Sequence, residues 1–120
     1  MLDVKLDGAT GIAVLEPHGE LSAEDFKSAA KIVDPYILEH GHLNGLLIHA
    51  ESFPGWDSFA AFSKHLEFVK NHHKQIKRIA IATDSKLGYF AENIASHFVK
   101  AEIKCFAYKQ MHEAEAWLVE

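Results

Sequence analysis

The feature that most constrains the fold is the alternation of strand-like and helix-like segments along the chain. From Ile12 onward, four apolar segments with β-strand character are each followed within a few residues by a stretch whose apolar residues recur at helical spacing. A strand that connects through a helix to a parallel strand has almost only one workable handedness, and ligands of such sheets gather beyond the carboxyl ends of the strands. The alternation therefore predicts an α/β domain with its site at one end of the sheet.

Length, composition and charge exclude several classes of protein. A chain of 120 residues with 48% apolar residues can fill one core without disulfides or metal, so we expect a single domain over residues 1–120. Its net charge of -5 opposes binding to nucleic acid. The first residues lack the order of a signal peptide, and no apolar run approaches the roughly 20 residues that cross a bilayer. We therefore expect a cytoplasmic protein with no nucleic-acid partner.

The apolar segments predict five strands. Residues 2–6 alternate aliphatic and charged side chains, and turn residues join them to the apolar residues 12–15, which predicts an antiparallel hairpin. The continuous apolar run of residues 46–48 is typical of a central strand that is covered on both faces. Residues 76–82 and 103–108 give two further strands. The expected sheet is therefore mixed and mostly parallel.

Four main helices are predicted, and the first has clear boundaries. Ser22 with Asp25 at the third helical position forms a variant capping box, and Gly41 ends the helix. Because Pro35 removes a backbone donor and crowds the preceding turn, we expect a bend near Asp34 or an early stop. The predicted inward stripe is Phe26, Ala29, Ala30, Val33 and Ile37.

The other three helices are read from the same kind of spacing. The second begins near Trp56, and its apolar residues predict a face that lies on the sheet, with Phe68 on the opposite side. That face comprises Phe59, Phe62, Leu66 and Val69. The third helix is expected to turn inward Leu87, Ala91, Ile94 and Phe98, and the last helix Met111, Ala114, Trp117 and Leu118.

Several short motifs give the chain a family resemblance. Gly19-Glu20-Leu21-Ser22 precedes Asp25-Phe26 at the first helix, and Phe53-Pro54-Gly55-Trp56 follows the central strand. The stretches 79–84 and 113–118 complete the set. With these motifs the chain resembles the STAS superfamily, whose founding members are bacterial anti-sigma-factor antagonists, and in particular its SpoIIAA-like branch. The resemblance covers essentially the whole chain and implies one STAS-like α/β domain of about five strands and four main helices.

The resemblance also implies a modification site. In signalling members of the superfamily, a Ser that follows an Asp at the start of the second helix is phosphorylated, and the added charge switches the partner off. Asp57-Ser58 matches that pair, but Phe59 and Ala60 stand where the signalling motif continues with Ser and Gly. Ser58 is therefore either a phosphorylation switch or a helix cap, the role that its short hydroxyl side chain favours.

The nine histidines do not predict a metal site. A zinc site needs three or four converging ligands, and the chain has no His-Glu-x-x-His motif and no pair of cysteines. We therefore expect no metal and no cofactor. The histidines expected to be solvated are His40, His42, His72 and His73.

A crevice at the carboxyl ends of the strands is the candidate site. His49 ends the central strand, Thr83 and Asp84 end the next one, and Ser58 lies beyond the intervening loop. A His with a carboxylate and a hydroxyl is able to carry out acyl-transfer or acid–base chemistry. The alternative is that His49 is a hydrogen-bonded strand-end residue and Asp84 a helix cap. No nucleophile elbow surrounds Ser58, so the residues favour binding over catalysis.

The loop after the central strand is unusually apolar. Phe53 and Trp56 flank Pro54-Gly55 in a position where exposed apolar side chains are costly. They indicate a self-association surface, the mouth of an apolar ligand pocket, or a face that meets lipid headgroups. A homodimer is the simplest of the three, because symmetric pairing covers such a patch without a second gene product.

The sequence thus predicts a non-enzymatic binding or regulatory module for a small apolar or amphiphilic ligand or a protein, at the crevice around residues 50–62. A phosphorylation-regulated signalling protein is the alternative, and a hydrolase is a third. Peripheral membrane contact is a further hypothesis, because Lys74, Lys77 and Arg78 form a basic cluster, although a solvated turn is its commoner meaning. The expected ligand contacts are His49, Phe53, Trp56, Phe59, Phe62, Thr83, Asp84 and Leu87.

Overall fold

The computed structural model describes residues 1–53, 55–85 and 100–120, without the side chain of Phe62. The strands are β1 (Leu2–Asp7), β2 (Ile12–Pro17), β3 (Leu43–His49), β4 (Ile76–Ala82) and β5 (Glu102–Phe106). The helices in these ranges are α1 (Ala23–His40), α2 (Phe59–His72) and α3 (Met111–Leu118), and a 3-10 turn (His73–Gln75) follows α2. None of these helices is long and apolar enough to span a membrane. The predicted third helix, from Leu87 to Phe98, lies outside the described residues.

The strands form one mixed sheet in the order β1-β2-β3-β4-β5. β1 and β2 pair as the predicted antiparallel hairpin, with Val4 opposite Leu15, whereas β2, β3, β4 and β5 run parallel. β3 lies in the middle of the sheet, and its Leu43 and Leu47 are completely buried. The prediction of a mixed, mostly parallel sheet of five strands is confirmed.

The ends of α1 are set by the residues that the sequence indicated. The Asp25 amide donates to Ser22 Oγ at 3.2 Å, and the Ser22 amide donates to Asp25 Oδ2 at 2.8 Å, which completes the capping box. At the other end Gly41 adopts the left-handed conformation with φ 85°, and its amide donates to the Ile37 carbonyl. Glycine has no Cβ, so this conformation carries little steric cost there.

Pro35 does not end α1, so of the two expected outcomes, a bend near Asp34 or an early stop, the early stop does not occur. The helix continues from Ala23 to His40 with Pro35 inside it. Pro35 is exposed, whereas Val33 and Ile37 on the inner side are buried. A proline in a helix removes a single backbone hydrogen bond, and the burial of the flanking apolar residues against the sheet outweighs that loss.

The inward face of α2 differs from the predicted one. The helix begins at Phe59, with Ser58 rather than a residue near Trp56 as its cap. Phe59 is 82% exposed and Leu66 is 55% exposed, whereas Phe68, expected on the outside, is buried. The inward stripe is Ala61, His65, Phe68 and His72.

The reason is that α2 packs against α1 rather than flat on the sheet. The Phe26 ring of α1 stacks on the His65 ring at a centroid distance of 4.8 Å and lies 6.4 Å from the Phe68 ring. His72, which was expected to be solvated, is buried and contacts Asp34 Oδ1 of α1 at 2.6 Å and the Phe68 carbonyl oxygen at 2.7 Å. Two histidines therefore lie on the buried side of this helix.

The two faces of the sheet are covered by different helices. The core on one face joins β2 and β3 to α1 and α2 and includes Leu15 and Phe26. The core on the other face lies between the sheet and α3 and includes Leu47 and Leu118. α3 comes so close to β3 that a Cβ on Gly45 would lie 2.9 Å from Leu118 Cδ2. The α1/α2 face and the α3 face are thus separate environments.

Candidate functional site

An apolar cavity of about 340 Å³ lies on the α1/α2 face, next to the loop that follows β3. Its floor is formed by Leu15, Ile48 and Ile81, which are register partners at the carboxyl ends of β2, β3 and β4. Side chains alternate along a strand, so the in-register pairing turns all three toward the same face. This is the end of the sheet at which ligands of wound α/β folds gather.

The loop after β3 forms one wall of the cavity. Phe53 and Trp56 both line it, both are half-buried, and their rings meet edge to face at a centroid distance of 4.9 Å. Backbone hydrogen bonds attach the loop to the segment before α1: the Leu21 amide donates to the Gly55 carbonyl at 2.8 Å, and the Asp57 amide donates to the Leu21 carbonyl at 2.9 Å. The aromatic wall is therefore held by the main chain rather than by side-chain packing alone.

Among the described residues that line the cavity, the ionisable one is His65 of α2. The Trp56 indole Nε1 lies 3.1 Å from His65 Nδ1 and donates to it. An indole nitrogen can only donate, so Nδ1 must accept and the proton of the neutral ring must lie on Nε2. Burial lowers the pKa of His65 below its ordinary value of 6.5, because a charged ring loses its hydration there. The ring is therefore neutral at pH 7.

Thr83 supports the cavity from the end of β4. It is buried, its hydroxyl donates to the Glu51 carbonyl at 3.1 Å, and the Ser85 amide donates to the same hydroxyl at 3.1 Å. Thr83 thus lines the cavity with its polar atom already satisfied and ties β4 to the loop after β3.

His49 does not face this cavity. It follows Ile48 in β3, so strand alternation turns its side chain to the α3 face. There His49 Nδ1 lies 2.9 Å from Glu16 Oε2, and His49 Nε2 lies 3.1 Å from the Tyr108 carbonyl oxygen. The His49 ring also stacks on the Tyr108 ring at 4.2 Å. Of the two sequence interpretations, the hydrogen-bonded strand-end residue agrees with this geometry and the shared crevice does not.

The arrangement gives no support to a catalytic pair of His49 and Ser58. Both ring nitrogens of His49 are occupied by Glu16 and Tyr108. Ser58 Oγ is exposed at the start of α2 and accepts from the Ala61 amide at 3.1 Å, which is the cap that the sequence favoured.

The other predicted contact residues are dispersed. Asp84 is exposed and its Oδ1 accepts from the Tyr108 amide at 3.1 Å, so it attaches β4 to the segment before α3. Phe59 is exposed on the outer side of α2. The side chain of Phe62 and all of Leu87 lie outside what the structure describes. The described cavity lining therefore contains Phe53, Trp56 and Thr83 from the predicted set.

Sequence reasoning missed the residues that α1 and α2 contribute. The sequence pattern placed Phe26 in the core and indicated no role for His65. The signal that would have found His65 is its spacing from Ala61 and Phe68, which places all three on one helical stripe. Within the described part of the chain, no three His, Cys, Asp or Glu side chains are grouped so that they could hold a metal ion.

Comparison with known proteins agrees with this architecture. The SpoIIAA-like family model matches residues 12–119 of the chain. Among solved structures, the chain is similar to an uncharacterized protein of the DUF3478 family with a SpoIIAA-like fold from Shewanella loihica PV-4, with a TM-score of 0.76, 24% identity, and coverage of 98% of this chain and 92% of that one. A search of curated proteins found no match. The chain belongs to the SpoIIAA-like family and has the fold of a STAS-type regulatory domain.

Proposed function

We propose that this protein is a non-enzymatic binding module whose apolar cavity takes a small apolar or amphiphilic molecule. The observation that carries the proposal is the pair Phe53 and Trp56, half-buried over a cavity of about 340 Å³ instead of filling it. Interiors of proteins are close-packed, so an apolar space of this size beside two aromatic rings is more than a packing defect. Its volume lies at the lower end of the roughly 300–1,000 Å³ typical of ligand pockets.

A ligand that covers the rings of Phe53 and Trp56 gains binding free energy from the apolar surface that it removes from water. Apolar surface that leaves water contributes about 25 cal/mol per Å², and an aromatic side chain buries on the order of 150–250 Å² when it is fully covered. Phe53 and Trp56 are only partly covered by their own chain. A ligand with an apolar body gains stabilisation from the remaining surface and also covers Leu15, Ile48 and Ile81.

The direct test is a search for a bound species. Protein purified under mild conditions is examined by native mass spectrometry, and its organic extract is screened for small molecules. We expect a species of low mass that copurifies with the wild type and is lost from Trp56→Ala. Trp117→Ala is the matched control, because Trp117 is also half-buried but packs on the α3 face beside Phe106.

The proposal fails if no species copurifies, a lipid-extract screen finds no binder, and Trp56→Ala leaves all association unchanged. Thermal unfolding of both variants shows whether each is folded at the temperature of the experiment. The same loop is also the proposed docking site if the partner is a protein. The proposal places the module in the cytoplasm, without a nucleic-acid partner.

A second candidate is a phosphorylation-regulated, antagonist-like signalling protein. The observation that favours it is that Ser58 is exposed at the start of α2, two residues after Trp56. An intact-mass increase on treatment with a kinase fraction from the protein's own host, absent from Ser58→Ala, is the expected result. No mass change on a folded wild-type sample rejects this candidate.

We also propose self-association through the outer side of α2. Phe59 and Leu66 are a helical spacing apart and expose large apolar side chains. Light scattering over a range of concentrations tests for a homodimer, and Phe59→Ser is expected to shift the distribution toward the monomer. Sedimentation with anionic and neutral vesicles tests peripheral membrane contact through Lys74, Lys77 and Arg78.

A further inference from the structure

In the described part of the cavity lining, His65 supplies a ring nitrogen, Nε2, that no other described residue uses. Trp56 donates to Nδ1, so the ring proton lies on Nε2. No residue in the described ranges accepts a hydrogen bond from Nε2. The Phe26 ring stacks on the His65 ring, and Trp56 donates a hydrogen bond to it. These two contacts fix the orientation of the His65 ring without any ligand. The donor is therefore positioned in advance.

The described part of the lining does not favour a strongly charged ligand. None of the described residues around the cavity is Lys, Arg, Asp or Glu. A carboxylate or ammonium group would leave water there without a counter-charge, which is expensive unless the charge is paired. His65 supplies that counter-charge only by taking a second proton at Nδ1, which ends its role as acceptor for Trp56. A neutral polar group on the ligand needs neither a counter-charge nor a second proton on His65.

The volume limits the size of the ligand. One water molecule occupies about 30 Å³ in the liquid. By that measure the cavity of about 340 Å³ holds a ligand of on the order of ten non-hydrogen atoms. The lining includes two aromatic rings from the loop and aliphatic side chains from the sheet, namely Leu2, Leu15, Ile48 and Ile81. This composition fits a compact aliphatic or aryl-alkyl body.

Resting on the proposed function, we infer that the ligand is a small neutral apolar molecule with one hydrogen-bond acceptor, such as a ketone, aldehyde or ester, and that His65 Nε2 donates to it. Trp56 is a positioning residue in this arrangement, because it fixes the tautomer of His65. The volume of the apolar cavity limits the size of the ligand, and the Nε2–H group of His65 selects a ligand that carries a hydrogen-bond acceptor.

The experiment uses three probes of similar size: butyrophenone, n-butylbenzene and 4-phenylbutanoate. Their dissociation constants are measured by NMR titration of the wild type, His65→Phe and His112→Phe at neutral pH. His65→Phe keeps a ring to stack on Phe26, and His112→Phe is the matched control, since His112 is exposed on α3. We expect the ratio of butyrophenone affinity to n-butylbenzene affinity to fall about tenfold in His65→Phe, the upper range for one lost hydrogen bond, and to stay unchanged in His112→Phe.

A second measurement needs no variant. The ¹⁵N shifts of the His65 ring in the wild type are expected to show the Nε2-protonated neutral tautomer, and the Nε2 signal is expected to move with butyrophenone but not with n-butylbenzene. An unchanged affinity ratio in folded His65→Phe, a ring protonated on Nδ1, or tighter binding of 4-phenylbutanoate than of butyrophenone overturns the inference. Binding of n-butylbenzene together with any of these results leaves the proposed function standing. Failure of all three probes overturns the inference, and the copurification experiment then decides the proposed function.

Discussion

His65 and His49 lie on opposite faces of the sheet, and their hydrogen-bond roles are opposite. His65 accepts from an indole in an apolar cavity, which requires an unprotonated Nδ1. His49 lies between two acceptors, the Glu16 carboxylate and the Tyr108 carbonyl, and both contacts are hydrogen bonds only when both ring nitrogens carry protons. One histidine thus keeps a donor for a ligand, while the other uses both nitrogens to join β2 and the segment before α3.

The α3 face of the sheet is closely packed, whereas the α1/α2 face contains the cavity. On the α3 face Leu47 and Ala114 are completely buried, and α3 touches the sheet closely enough to require Gly45. On the other face the cavity remains between the floor of the sheet and the aromatic loop. We therefore expect substitutions on the α3 face to change the free energy of unfolding and substitutions around the cavity to change ligand affinity.

The largest effect is expected from neighbouring residues of β3. Leu47→Ala removes a completely buried side chain and is expected to lower the free energy of unfolding by about 3 kcal/mol. Ile48→Ala, which faces the cavity and is only half-buried, is expected to cost less than half as much but to weaken probe binding. Urea unfolding and probe titration of both variants check this. Equal losses of stability would contradict the division between the two faces.

A smaller effect is expected at the contact between Glu16 and His49. Glu16→Gln removes the negative charge but keeps an acceptor oxygen, so it weakens a part-buried charge-assisted hydrogen bond and is expected to lower the free energy of unfolding by about 1 kcal/mol. Butyrophenone affinity should not change. Glu24→Gln is the control, since its pair with Lys27 is well exposed, and its effect should be close to zero.

The pH dependence of His65 gives a third test. Its pKa is lowered in the folded protein, so the unfolded chain binds the proton more readily. The stabilisation from the neutral ring is therefore complete above pH 6.5 and is lost as the pH falls from 6.5 through the lowered pKa. The Trp56 indole resonance should shift over the same range as its acceptor Nδ1 is protonated, whereas Nε2 keeps its proton and can still donate to a ketone.

His65→Phe should remove that part of the pH dependence. The described residues that contact the His65 ring are Phe26 and Trp56, and neither of these side chains titrates. A Trp56 indole signal that stays constant from pH 7 down to acid unfolding would contradict the contact between these two residues.

The smallest effect on stability is expected on the outer side of α2. Phe59→Ser should change the free energy of unfolding by no more than about 0.5 kcal/mol, because Phe59 is 82% exposed. Phe68→Ser on the inner side should cost several times more, since it places a hydroxyl in the core and leaves a cavity. Thermal unfolding of the pair checks the orientation of the helix. A larger loss of stability for Phe59→Ser than for Phe68→Ser would instead support the orientation of α2 that the apolar spacing predicted.

Local signals were sufficient for the elements and their order. The capping box of Ser22 and Asp25, the helix end at Gly41, and the strand over Ile76–Ala82 all form where the sequence predicted them. These features depend on residues within one or two turns of each other, so a local pattern identifies them. The family resemblance was also confirmed, and its motifs are short stretches within or beside single elements.

The orientation of α2 and the positions of the histidines were not accessible in this way. α2 carries apolar residues on two sides, so its spacing allows two inward faces, and contact with Phe26 of α1 selects between them. His49 and Ile48 are neighbours in the chain but lie on opposite faces, and which of them meets the cavity depends on which helix covers each face. Amino-acid order fixed the elements through short-range chemistry. Packing between residues distant in the chain, such as Phe26 with His65, chose the faces and thereby created the cavity.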